Sequence, residues 1–317
     1  SRTEPWRIAS YSGLRIDAAG GFDDTPAQAA PAADTAAEAI YAESLDAESL
    51  DAAAQDAPGP AGEGLHGFPR GAQPGSFLHE LLEWAAGRGF AQVAADPAEA
   101  RDRIARRCRL RGWDRWIPAL SEWLPEFLRT GFPVADGAPV RLDALAACQV
   151  EMEFWFSVRR VDLARLDGLV RRHTLGGAPR PSLLPGRLDG MLKGFVDLAF
   201  EHGGRYYVAD YKSNWLGPDD GAYGPQAMRD AVLAHRYELQ YVIYLFALHR
   251  LLRARLPDYD YDRHVGGALC LFLRGSGAPG RGMHLERPPR ALIDALDGIF
   301  AGGDDGDGAA VAGEGRP

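Results

Sequence analysis

The residues best equipped for chemistry lie in one short stretch, Lys193-Gly-Phe-Val-Asp197-Leu-Ala-Phe-Glu-His-Gly-Gly-Arg-Tyr-Tyr-Val-Ala-Asp210-Tyr-Lys212. Its two aspartates offer the hard oxygen ligands that a divalent cation prefers. Lys212 adds a compact positive charge two residues after the second. The choice of lysine is itself informative. Of the 35 Lys and Arg residues in the chain, only Lys193 and Lys212 are lysines. Arginine is a fixed-charge fork, whereas a lysine's pKa can be moved. A chain so biased towards arginine keeps a lysine where that difference matters. Two carboxylates with an amine beside them form the equipment of a metal-dependent phosphodiester hydrolase.

The spacing predicts how these groups meet. Gly203-Gly204 suits a two-residue type I′ hairpin loop, which needs positive φ at both positions. That loop pairs His202 with Arg205 and, carried back, sets Asp197 opposite Asp210, with Cβ atoms about 4.5–5.5 Å apart. Lys212 then shares their face by the two-residue period. The opposite face, Val196, Leu198 and Phe200 against Tyr207, Ala209 and Tyr211, is apolar and is expected to pack on a helix. By the same register Lys193 pairs with Asn214. Opposed carboxylates repel, and a bound cation would remove the repulsion. The competing reading is a solvated Asp/Asp/Lys patch in which the lysine screens the pair.

The elements that must position this hairpin are legible around it. Pro74-Gly75-Ser76 opens a helix over 77–87, with Ser76 as its N-cap and Leu78, Leu81, Leu82 and Ala85 as its apolar stripe. A second helical region, 97–130, carries Arg101, Arg103, Arg106, Arg107, Arg109 and Arg111, then Trp113, Trp116 and Trp123. These are either backbone-contacting arginines with stacking tryptophans or a solvated face over a tryptophan core. QVEMEFWFSV (149–158) alternates as a strand, putting Glu151 and Glu153 on one face. Residues 162–190 read as mixed, becoming loop-like towards the end. Strands at 192–200 and 205–212, a long helix over 226–255 and a doubly buried strand at 267–274 complete the order.

Composition bounds the rest. Residues 1–65 carry a net charge of −9 and 301–317 a net −3, leaving +3 on 66–300 of the chain's total −9. A mildly basic body is compatible with nucleic acid. Residues 17–64, rich in Ala, Asp, Glu, Pro and Gly, read as a disordered acidic linker with a short helix near 36–54. Residues 301–317 read as a disordered tail, 65–300 as the folded domain, and 1–16 as ordered or partner-bound. Ser1 suggests a fragment of a longer polypeptide. The three cysteines form no CxxC pair, which argues against zinc or iron–sulfur sites and fits a reducing cytoplasm. No apolar run is long enough for a membrane span, and no GxxxxGK[ST] phosphate loop is present.

GMLKGFVDLAF, GRYYVADYKSNWLG, HRYELQYVIYLFALHRLL and YDYDRHVGGALCLFLRG, with GSFLHELLE and QVEMEFWF, closely resemble the C-terminal nuclease domain of the RecB family, the beta subunits of RecBCD helicase–nucleases. That domain belongs to the PD-(D/E)xK superfamily, a mixed α/β fold with an α-β-β-β-α-β restriction-endonuclease-like core. The order read above agrees with it, with a helical insertion after the first helix. The resemblance implies Mg2+, one or two ions, held by His79, Asp197 and Asp210. It implies catalytic roles for Asp210 and Lys212, and a positioning role for Gln240 and Tyr244, which could equally be core residues. Either Glu151 or Glu153 faces the metal. Val196 stands where the family name has proline. The implied activity is exonuclease and endonuclease cleavage of single- and double-stranded DNA ends in double-strand break repair and recombination, in the bacterial cytoplasm. RecC- and RecD-like subunits would be partners, ATP would bind only outside this chain, and residues 1–16 would end an upstream helicase region. The alternative is a non-catalytic DNA-binding or subunit-interaction module on the same fold.

Overall fold

The computed structural model describes residues 7–10, 64–134 and 137–301. The expected linker up to residue 63, its short helix and the tail from 302 onwards lie outside the described residues. In chain order the elements are β1 (Arg7–Ser10), α1 (Ala72–Arg88), α2 (Phe90–Ala95), α3 (Pro97–Arg109), α4 (Ile117–Arg129), β2 (Cys148–Asp162), α5 (Leu163–His173), β3 (Arg187–His202), β4 (Arg205–Lys212), α6 (Pro225–Ala234), α7 (Tyr237–Arg255), β5 (Val265–Phe272), β6 (Met283–Glu286) and α8 (Arg290–Phe300). Within 1–16, the described part is therefore a strand.

The hairpin organises the sheet. Gly203 and Gly204 have φ of 61° and 79°, the left-handed pair that a type I′ loop demands. The expected register holds over five pairs, from His202–Arg205 to Leu198–Ala209. β2 runs antiparallel along one edge of β3. β5 lies parallel to β4, and β6 antiparallel to β5. β1 joins the other edge of β3 in parallel, pairing Ser10 with Lys193. Lys193 therefore sits between Ser10 and Trp155; Asn214 is not its partner, because β4 has ended at Lys212.

Helices cover both sheet faces. Leu198, Phe200, Tyr207, Ala209, Tyr211, Leu269, Leu271 and Leu273 pack against α1 to α4. Val196, Ala199, Val208, Ala268, Cys270 and Phe272 pack against α5 to α8. β5 is thus buried on both faces, as its uninterrupted apolar run requires.

Several boundaries differ from expectation for local reasons. α1 begins at Ala72, and Ser76 lies inside it, bonding back to the Ala72 carbonyl at 2.9 Å rather than capping. Pro74 falls in the first turn, where a missing N–H costs nothing. The region read as mixed after 162 opens with α5, whose N-cap Asp162 accepts the N–H groups of Ala164 and Arg165 at 2.8 and 3.3 Å. The single long helix expected over 226–255 is broken at Arg236, which adopts φ 58°. Strain of that kind persists only where surroundings over-determine it, and they do. The fully buried guanidinium donates to Glu238 and Asp167, both at 2.6 Å, and to the Pro181 carbonyl. Arg180 lies 3.3 Å from the same Glu238 carboxylate.

This network locks the start of α7 onto α5. Arg236→Met leaves Asp167 and Glu238 buried without their main cation. The substitution is expected to cost about 3–5 kcal/mol, lowering the thermal midpoint by at least about 6 °C. An unchanged midpoint by calorimetry would show the network to be dispensable.

Candidate metal centre

The candidate site forms where β3 and β4 part. Their ladder stops at Leu198–Ala209, one pair short of Asp197–Asp210, while on its other edge β4 stays paired with β5, Asp210 with Cys270 and Lys212 with Phe272. Asp197 spans the opening with its carboxylate, which accepts the Tyr211 backbone N–H at 2.7 Å. β2 breaks at the same level. Glu151 takes φ 47° between the pairs Val150–Leu198 and Met152–Val196. The two-residue period slips there on both strands. Leu198 and Val150 pack towards α1–α4, whereas Val196 and Met152 pack towards α5–α8. Val196 is therefore not on the face of Leu198 and Phe200, contrary to a strict alternation.

The slip also corrects the expectation that both aspartates and the lysine share one hairpin face. Ala209 and Tyr211 point to the α1–α4 layer, so Asp210 and Lys212, alternating with them, point towards α7. Both are buried, at 4% and 5% exposure. Lys212 Nζ stands 2.7 Å from Asp210 Oδ2, donates to Gln240 Oε1 at 2.8 Å and lies 3.9 Å from the Tyr237 ring centroid. Gln240 in turn donates to the Tyr244 hydroxyl at 2.8 Å. The i,i+4 pair on α7 thus forms a buried relay ending on Lys212, which its spacing alone left open. Tyr237 and Asn214, joined by a 3.0 Å hydrogen bond, complete the wall; the sequence pattern assigned neither of them to the site.

His79 reaches the site from α1. Its Nδ1 lies 3.7 Å from Asp197 Oδ2, its ring meets Tyr211 edge-on, and its Nε2 is buried without a hydrogen-bond partner among the described residues. Of the two glutamates on β2, Glu151 belongs here. Burial pushes its carboxyl up to about 7, Asp197 and Glu83 push the same way, and His79 opposes them. Glu153 is instead paired with Lys193 at 2.7 Å on the surface, beneath a cation–π contact of Lys193 with Trp155 at 4.4 Å. Lys193 is accounted for as a surface partner, away from the site.

The electrostatics leave negative charge uncompensated. Burial raises the Asp210 carboxyl, Asp197 raises it further, and Lys212 and His79 pull it back only in part. Among the described residues the donor atoms do not yet surround one point at ligating distance. Asp210 is turned onto Lys212, and Asp197 onto the Tyr211 N–H. The donor set nonetheless fits a hard divalent cation. Several desolvated carboxylates lie within one another's field beside an imidazole nitrogen that has no partner.

The tryptophans of the arginine-rich region pack into the fold. Trp123 is buried and donates to the Leu273 carbonyl at 3.3 Å, and Trp113 and Trp116 pack edge-on against Phe68. Arg107 and Arg111 reach Glu80, while Arg101, Arg106 and Arg109 are exposed.

Comparison with known proteins places this geometry in context. The PD-(D/E)XK nuclease superfamily model matches residues 61–297. The chain is 41% identical over 303 residues to the RecBCD enzyme subunit RecB of Escherichia coli strain K12, covering 94% of this chain and 23% of that protein. It is 36% identical over 238 residues to the RecBCD enzyme subunit RecB of Haemophilus influenzae, covering 73% of this chain and 19% of that protein. A Mycobacterium tuberculosis RecB is 30% identical over 275 residues, covering 74% and 24%. The chain spans about a quarter or less of these relatives. Since the family model takes in nearly all of the described body, including both layers and the fork between β3 and β4, the chain belongs to the PD-(D/E)XK nuclease superfamily.

Proposed function

We propose that the chain is the nuclease module of a RecBCD-type helicase–nuclease: a Mg2+-dependent enzyme that hydrolyses phosphodiester bonds at single- and double-stranded DNA ends during break repair and recombination. The observation that carries this reading is the buried fork itself. Asp197 and Asp210 are held beside Lys212 and His79 in a chain whose relatives are RecBCD subunits. RecC- and RecD-like subunits would be the partners in the bacterial cytoplasm, with ATP bound by the helicase region outside this chain. No helix among the described residues is long and apolar enough to cross a membrane.

His79, Asp197 and Asp210 would hold the metal, one ion or two, with Glu151 close enough to join them. When bound, such an ion supplies Lewis acidity to a phosphate oxygen and lowers the pKa of water from about 15.7 towards neutrality. The chain's own residues do the rest. Lys212, fixed by Gln240 and Asp210, directs its ammonium at the attacking water or at charge developing on the phosphate. Gln240 fixes the ammonium's direction, because its amide is itself held by the Tyr244 hydroxyl. Tyr237 and the apolar strands exclude bulk water, which strengthens every charge interaction inside.

Asp210→Ala and Lys212→Ala are each expected to lower Mg2+-dependent cleavage of labelled DNA by about 10²-fold or more, with circular dichroism and oligonucleotide binding retained. Cleavage by Asp210→Ala at the wild-type rate would contradict the reading. Glu151→Gln removes a carboxylate that its neighbours repel. At pH 8 in EDTA its thermal midpoint is expected above that of the wild type, and the midpoint gained on adding Mg2+ is expected to shrink. A lower midpoint in EDTA would show that Glu151 is stabilised rather than strained.

A further inference from the structure

The segment leading into α1 carries a second cation that the chemistry above does not use. Its position is fixed by Arg274, which is 2% exposed. The Arg274 guanidinium donates to the carbonyls of Ser213 (2.8 Å), Leu65 (2.7 Å), Phe68 (2.8 Å) and Pro69 (2.6 Å). One side chain thus ties residues 65–69 to the residue that follows Lys212. The next residue, Arg70, is thereby laid over Trp215, with 3.5 Å between the guanidinium carbon and the ring centroid. Trp215 is three residues beyond Lys212, a span of at most about 11 Å even if fully extended.

Arg70 is unlike the buried arginines of this domain. Arg180, Arg236 and Arg274 spend their donors on carboxylates and carbonyls. Arg70 makes no hydrogen bond or ion pair with any described residue, and its Nη2 is shielded from water without an acceptor. The indole Nε1 of Trp215 is in the same condition. Both residues are only partly buried, so the pair remains reachable from outside. A guanidinium held flat on an indole keeps its orientation, and its planar fork matches the oxygens of a phosphate in a bidentate contact.

We infer that Arg70, braced by Trp215, binds a backbone phosphate of the substrate strand next to the scissile one and so sets its register over Asp210 and Lys212. The inference rests on the nuclease reading, since it supposes a strand lying across the same fork.

The test uses the full chain with a labelled single-stranded oligonucleotide, measuring Mg2+-dependent cleavage and, in EDTA, fluorescence anisotropy between 50 and 200 mM salt. Arg70→Met is expected to raise KM about tenfold with kcat within about twofold. The slope of log affinity against log salt should become shallower by about 0.7, the contribution of one single-strand phosphate contact. Arg70→Lys should recover part of the affinity. Trp215→Leu should weaken binding in the same direction, and Trp215→Phe should restore it. Wild-type KM and salt slope in Arg70→Met overturn the inference while leaving the nuclease reading intact. So does a variant whose thermal midpoint falls without any change in KM or slope. If Arg70→Met fails to fold, Arg70→Lys decides by its own KM: unchanged overturns the inference, raised supports it. A wild-type chain that does not cleave, yet loses binding and slope on Arg70→Met, sinks the nuclease reading and keeps the phosphate contact. A wild-type chain that neither binds nor cleaves overturns both.

Discussion

Everything at the candidate site follows from one electrostatic constraint: acidic side chains are held close together at a place that water hardly reaches. Two like charges about 4 Å apart repel by about 4 kcal/mol even at an effective dielectric near 20. Lys212 offsets one such charge, and His79 and the Tyr211 N–H soften another. Glu151 remains, displaced upwards in pKa by burial first and by the neighbouring Asp197 and Glu83 carboxylates second. A fold selected for stability alone would place apolar residues here, since burying like charges costs more than neutral packing. The chain keeps the carboxylates, and a divalent cation is the group that would make the arrangement favourable.

The scaffold is built to hold that arrangement rigid. The two helical layers bury the hairpin from both sides, so β3 and β4 cannot drift apart to relieve the repulsion. The fork is where β4 loses β3 as a partner while it stays paired with β5, and the Tyr211 backbone N–H at that point is the one that Asp197 takes. Glu151 on β2 and Arg236 at the start of α7 both adopt left-handed backbone, with φ of 47° and 58°. The first re-aims a carboxylate, and the second starts α7 so that Gln240 meets Lys212. Both are residues for which this backbone region is costly, which fits strain held at a functional centre.

Much of this was legible in the sequence, and the exceptions share a cause. The hairpin register followed from two glycines, and the core order α-β-β-β-α-β from periodicity. The family resemblance supplied His79, which no spacing rule reaches from 118 residues away in the chain. What failed was the assumption of unbroken alternation. The slip at Glu151 and Asp197 moved Val196 to the other layer and separated Glu151 from Glu153, and no residue type announces such a slip. The break at Arg236 was equally hidden, because a buried ion network rather than a glycine or proline enforces it. Lys193 looked exceptional by composition, yet it proved to be a surface partner of Glu153 and Trp155.

The central claim is that the cluster of His79, Asp197 and Asp210 exists to receive a divalent cation. The most direct measurement is a crystal structure of the chain grown with Mn2+, with diffraction recorded for anomalous scattering from manganese. The account predicts an anomalous peak bounded by His79, Asp197 and Asp210, with Asp210 turned away from Lys212 to meet it. Density in which Asp210 stays on Lys212 and no peak appears at the fork, at Mn2+ concentrations that support cleavage, would contradict it.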